Sequence, residues 1–200
     1  MESKVVYFES LNPGNTDITF KLAQERARAL GIKKIVLAST TGASARKAME
    51  FFKDDGIQLV VVPHQWDFHR PVNLFPQELI KTLREAGHEV HFGTMLFHTG
   101  DLYGSTAPAL LANLLRCFSQ GVKVCFEIVM MTTDAGLLTS QEKMIAIAGT
   151  GRGSDTALVM QAASSQHMNK LRVNEILCKP LNPLTVEELH EKMAQEKSGS

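Results

Sequence analysis

Cysteine is scarce in this chain and odd in number. Cys117, Cys125 and Cys178 form no CxxC pair and lie in apolar surroundings, which argues against a disulfide framework or a thiolate metal site and reads as three core thiols. No apolar run approaches the ~20 residues that span a bilayer, and the opening "MESKVVYFES" lacks the apolar stretch of a secretory signal. The expectation is a cytoplasmic protein with no membrane partner. Net charge is missing too: 21 Lys and Arg face 21 Asp and Glu, so no overall positive field draws the chain onto nucleic acid. There is no internal repeat, no low-complexity tract and no carboxylate pair set out as acid and base. The sequence therefore assigns no reaction, and it leaves open whether the chain is an enzyme or forms a homo-oligomer.

What is present is a regular alternation. Short runs rich in Val and Ile alternate with longer amphipathic ones, the pattern of a layered α/β fold, and 200 residues suffice for one large core. We read residues 1–195 as a single domain and 196–200 as a frayed tail. Strands are expected at 4–8, 34–39, 56–64, 142–149 and 174–180. Helices are expected from Asn15, Thr16 or Asp17 as cap to Leu30, from Ala45 to Lys53, for about ten residues from Pro76, and over 107–118 and 185–195. "HEVHFGTML" (88–96) reads as extended. Residues 121–136 have strand-like composition but helical length, and the helix is the reading taken. The role of 65–120 is not legible.

Two turns stand out. "STTGAS" (39–44) leaves a strand and enters a helix, where unpaired backbone N–H groups and the helix dipole favour an anion. Gly42 permits close approach, and Ser39, Thr40, Thr41 and Ser44 offer four hydroxyls where a helix cap requires one. "GTGRGS" (149–154) sets Gly149, Gly151 and Gly153 after a second strand, with Thr150 and Arg152 between them. It is a poor dinucleotide fingerprint, since Ser154 stands where the last glycine belongs, and no Walker A lysine follows either turn. "GASAR" is no nucleophile elbow, because Arg46 stands at its end.

The stretch "IKKIVLASTTGASARKAMEFFKDDGIQLVVVP" resembles the strand, (S/T)-x-(S/T)-G-x-(S/T)-A-R turn, helix and following strand of the pyruvate kinase C-terminal domain. "MIAIAGTGRGSDTALV" resembles that family's late strand and G-x-G-x-T-N-T turn, with Ser154, Asp155 and Thr156 in place of T-N-T. The likeness runs from about Asn15 to Val159 and is closer still to stand-alone proteins built from that domain. It implies a three-layer α/β/α fold on a mostly parallel mixed sheet of order 3-2-1-4-5, with the first turn at the switch point. It also implies that 155–161 is an antiparallel strand rather than a helix. Ser39, Thr40, Thr41, Gly42, Ala43 and Ser44 are implied to hold a phosphate, aided by the late loop, and the stand-alone members are similar to binders of flavin mononucleotide (FMN). Pyruvate kinase activity is not implied, because the catalytic barrel is absent.

The resulting expectation is a protein that binds a small phosphorylated planar ligand, FMN, at the carboxyl ends of the strands. Gly149 to Gly153 would close the site, and Asn12, Asn15 and His64 would contact the ribityl chain or ring. A regulatory module sensing a sugar phosphate and a small flavin-dependent oxidoreductase remain as rivals. No metal is expected, since the spacing of His88, His91 and His98 does not bring them to one face of a strand. Trp66 and Phe68 could stack on a planar ring, though an aromatic loop covering the core is the commoner use of such residues.

Overall fold

A computed structural model describes residues 3–68, 71–99 and 106–198. The elements in order are β1 (Val6–Phe8), α1 (Asn15–Leu30), β2 (Lys34–Ala38), α2 (Ala43–Phe51), β3 (Gln58–Val62), α3 (Gln77–Glu85) and β4 (Glu89–Val90). After a 3₁₀ turn at Leu96–His98 come α4 (Ala107–Arg116), α5 (Gln120–Asp134), β5 (Lys143–Ala148), β6 (Thr156–Gln161), β7 (Arg172–Pro180) and α6 (Val186–Ser198).

The strands form one seven-stranded sheet of order β1-β7-β6-β5-β2-β3-β4. Every neighbouring pair is parallel except the two that involve β6. Counting β2 as first, the inner run β4-β3-β2-β5-β6 has the expected order 3-2-1-4-5. β1 does not join β2 as a βαβ reading would have it, but pairs in parallel with β7 at the sheet edge.

Both faces of the sheet are covered, which is why its central strands are apolar along their whole length. Ile35 and Leu37 meet Phe20 and Ala23 of α1, Ala45 and Ala48 of α2, and Leu79 and Leu83 of α3. Val36, between them in sequence, faces the opposite way with Val60 and Ala146, against Val122, Cys125, Ile128 and Val129 of α5. Each such aliphatic side chain, fully buried, contributes about 1.5–3 kcal/mol. α5 is buried nearly all round, which explains a composition that reads as strand and folds as helix.

Four local expectations are corrected. Asn15, Thr16 and Asp17 do not cap α1 from outside; all three lie inside its first turn, and Gly14 at the N-cap makes no side-chain bond. Of the stretch 88–96 only Glu89–Val90 pairs as strand, because the chain beyond it turns away to bond with α5. Cys125 and Cys178 are buried, but Cys117 is exposed. α6 runs on to Ser198, past the helix end read from the sequence.

Candidate functional site at the carboxyl crest

Helices α1, α2 and α3 lie on one face and α5 on the other, so the chain changes face between β2 and β5. Open α/β sheets hold ligands at such a switch point. Leu37 is level with Ile147 and Ala38 with Val62, so Ser39 leaves β2 beside Gly149 on one side and Pro63 on the other. The two turns singled out in the sequence therefore leave neighbouring strands at one crest, and His64 lies two residues past the end of β3.

In the first turn the work is divided between the hydroxyls. The Ser39 N–H donates to the Val62 carbonyl at 3.1 Å, tying the turn to β3. Its buried Oγ accepts the Ala45 N–H at 3.2 Å, so Ser39 and not Ser44 supplies the side-chain cap of α2. Gly42 has a φ of 84°, and a Cβ there would sit 2.6 Å from Leu79 Cδ2. Both the left-handed backbone and the packing against α3 demand glycine. The N–H groups of Thr40, Thr41, Gly42, Ala43 and Ser44 make no hydrogen bond within the described structure. The same holds for the hydroxyls of Thr40, Thr41 and Ser44. Thr41 and Ala43 are exposed, and Thr40 and Ser44 half-buried.

The late turn joins β5 to β6 as a hairpin and closes on itself. A Cβ on Gly149 would lie 2.2 Å from the Gly153 carbonyl, and one on Gly153 (φ 71°) would lie 2.5 Å from Thr16 Oγ1. Thr16 uses that oxygen to accept the Ser154 N–H at 2.9 Å, which anchors the turn to α1. Asp155 lies under the turn, nearly fully buried. Its carboxylate accepts the Thr156 hydroxyl at 2.8 Å and the Thr150 N–H at 3.0 Å, and the start of α5 at Gly121 abuts it. Burial raises its pKa above the ordinary carboxylate value, against the pull of those donors. Sequence reading missed this role, although an acid at the place of the family's T-N-T asparagine was the available signal.

Thr150, Gly151 and Arg152 line a cleft of about 240 Å³ together with Asn12 and Lys192, so Asn12 and the late loop share one wall. The buried hydroxyls of Thr150 and Ser154 have no hydrogen-bond partner within the described structure. Asn12 Oδ1 also accepts the Gly14 N–H, and Asn15 donates its side chain to the Ser10 carbonyl, so both asparagines help to build the turn into α1.

Beyond β3 and β4 the crest is aromatic. Trp66, half exposed, lies 5.4 Å from Phe92, and Phe68 stands edge-on between His64 and His98, at 5.1 Å from each. Below them Lys123 and Glu127 of α5 are paired at 2.6 Å. Burial alone would raise the Glu127 pKa, but bonds from His98, Lys123 and the Phe97 N–H bring it down to about 2. Burial pushes Lys123 down. His88 accepts the Leu59 N–H at 3.3 Å, while His98 bonds Glu127. Among the described residues no three His, Cys, Asp or Glu side chains are grouped to hold a metal.

Comparison with solved structures finds two pyruvate kinases of Cryptosporidium parvum, one of them in complex with ADP. They are 15% and 14% identical to this chain over 78% of it, each with a TM-score of 0.41. The chain covers 25% and 24% of their lengths, about a quarter of each enzyme. The family profile described as "Pyruvate kinase, alpha/beta domain" matches residues 17–160, from the first turn of α1 to the end of β6. With well over half of its length matched, and with the sheet order and both turns in place, the chain belongs to the pyruvate kinase alpha/beta domain family.

Proposed function

We propose that this protein binds a phosphorylated planar ligand, FMN, along the crest. The phosphate rests on the turn from Thr40 to Ser44, Arg152 approaches it from the late loop, and the ring lies toward His64. The observation that supports this most is the run of N–H groups from Thr40 to Ser44, bonded to nothing in the described structure, at the start of a nine-residue helix. Orphan donors at a helix N-terminus attract a phosphate through both hydrogen bonds and the dipole. Because Ser39 already caps α2, the hydroxyls of Thr40, Thr41 and Ser44 are left over for the ligand. The aromatic rim beyond β3 favours a planar group over a bare sugar.

FMN, when bound, would supply redox chemistry; the chain supplies the anion cradle and the ring contacts. The test is a titration of the purified, ligand-stripped protein with FMN and with riboflavin, which has the ring but no phosphate. FMN is expected to bind far more tightly. Equal affinities would remove the phosphate cradle, and a colourless protein that binds a sugar phosphate but no flavin would support the regulatory reading instead.

A further inference from the structure

Lys123 and Glu127 form an ion pair whose side chains are 1% and 2% exposed. Folding alone gives little reason for it, since apolar residues of similar volume in such places are commonly neutral or stabilising. Its geometry is directed at something else. Glu127 Oε2 receives Lys123 Nζ at 2.6 Å, while Oε1 accepts the Phe97 N–H at 2.9 Å and faces His98 Nδ1 at 3.3 Å. An ionised carboxylate can only accept, so Nδ1 carries the proton, and in the neutral form of the ring that leaves Nε2 its lone pair. That Nε2 bonds to nothing in the described structure, and the His98 side chain is 28% exposed. Phe68 packs against His98 on one edge and His64 on the other, which places His98 one ring beyond the end of β3.

We propose that His98 is a ligand-contacting residue whose Nε2 accepts a hydrogen bond from a ring N–H of the planar ligand. Glu127 is the positioning residue that fixes the tautomer, and Lys123 locks the carboxylate. This rests on the flavin reading, since an imide N–H at the far side of a flavin is the donor that such an acceptor suits.

The test measures dissociation constants for FMN, with inorganic phosphate as competitor, in the wild type and in His98→Ala, His98→Gln and Glu127→Gln. His98→Ala is expected to weaken FMN about tenfold, the worth of one hydrogen bond, and to leave phosphate competition unchanged. His98→Gln, whose amide oxygen reaches about as far as Nε2, should recover most of the loss. Proton–nitrogen correlation spectra should show the Nδ1–H tautomer in the wild type and a shift toward Nε2–H in Glu127→Gln. If that variant fails to fold, the wild-type tautomer and the His98 variants decide. Unchanged FMN affinity in His98→Ala, a wild-type Nε2–H tautomer, or a parallel loss of phosphate binding overturns the inference. Wild-type protein that binds no FMN at all brings down the flavin reading itself and this inference with it, so the wild-type titration tells the two failures apart.

Discussion

Ser39 and Ser44 are the same residue type five positions apart, and they do different jobs. Replacing Ser39 by Ala leaves the Ala45 N–H without its acceptor in a buried place, which should lower stability by about 0.5–2 kcal/mol. Ser44→Asp should do the opposite to stability and worse to binding. A carboxylate in the first turn of α2 gains about 0.3–1 kcal/mol from the dipole, so the melting temperature should hold or rise. Against a phosphate at ~4 Å, the same charge adds a repulsion of about 4 kcal/mol at an effective dielectric of 20, a loss of roughly several hundredfold in FMN affinity. Calorimetry on both variants, alongside FMN titration, checks the division; normal FMN binding by Ser44→Asp removes the phosphate from this turn. The turn itself was legible because four hydroxyls around one glycine exceed what a cap requires. Which hydroxyl faces inward was not, because that depends on the Ser39 amide being bonded to Val62, a residue on another strand.

Among the elements, α5 depends on a close approach at its second residue. A Cβ on Gly121 would fall 2.1 Å from Thr156 Oγ1 and 2.6 Å from Thr156 Cβ, on a fully buried strand residue that has no room to swing away. Gly121→Ala improves helix propensity by about 1 kcal/mol but overpacks this contact. With a contact this close the overpacking cost lies at its upper end, and the expected net result is a loss of about 2 kcal/mol, read as a drop in melting temperature of roughly 2–4 °C per kcal/mol. An unchanged melting point would mean that α5 does not rest on β6 as described. Length decided the sequence reading of α5, and decided it correctly, since fifteen residues is long for a strand. The stretch 88–96 misled for the converse reason. Its alternation is strand-like, but the bond from the Phe97 N–H to Glu127, thirty positions on, takes the chain out of the sheet, and no local pattern announces that.

For the molecule as a whole, Glu127 and Asp155, buried acids with shifted carboxyl groups among the described residues, shape how stability answers to pH. Glu127, lowered to about 2, contributes stability that is present above the ordinary 4.5 and is lost as pH falls through about 2. Asp155, raised above 3.8, has the opposite sign: acidification relieves part of its burial penalty. Lys123, lowered by burial, carries a penalty that is relieved as pH rises. Urea unfolding should show stability falling from pH 4.5 toward 2, and the fall should be shallower in a Lys123→Met/Glu127→Gln double variant, which removes both charges of the pair together. An identical slope would place the acid response elsewhere. The strand order at this scale was legible only through the resemblance, and the edge position of β1 not even then. Local sequence does not say which distant strand a strand will join. That pairing has a consequence in time. β1 has only three residues, and its partners are Cys178, Lys179 and Pro180, near the other end of the chain. Closing so long a loop costs entropy that the rest of the sheet must already have offset, so β1 should dock last in folding and open first. Native-state hydrogen exchange should find the β1 amides exchanging through a local opening well below the global unfolding energy, while those of β2 and β5 wait for the whole sheet to come apart.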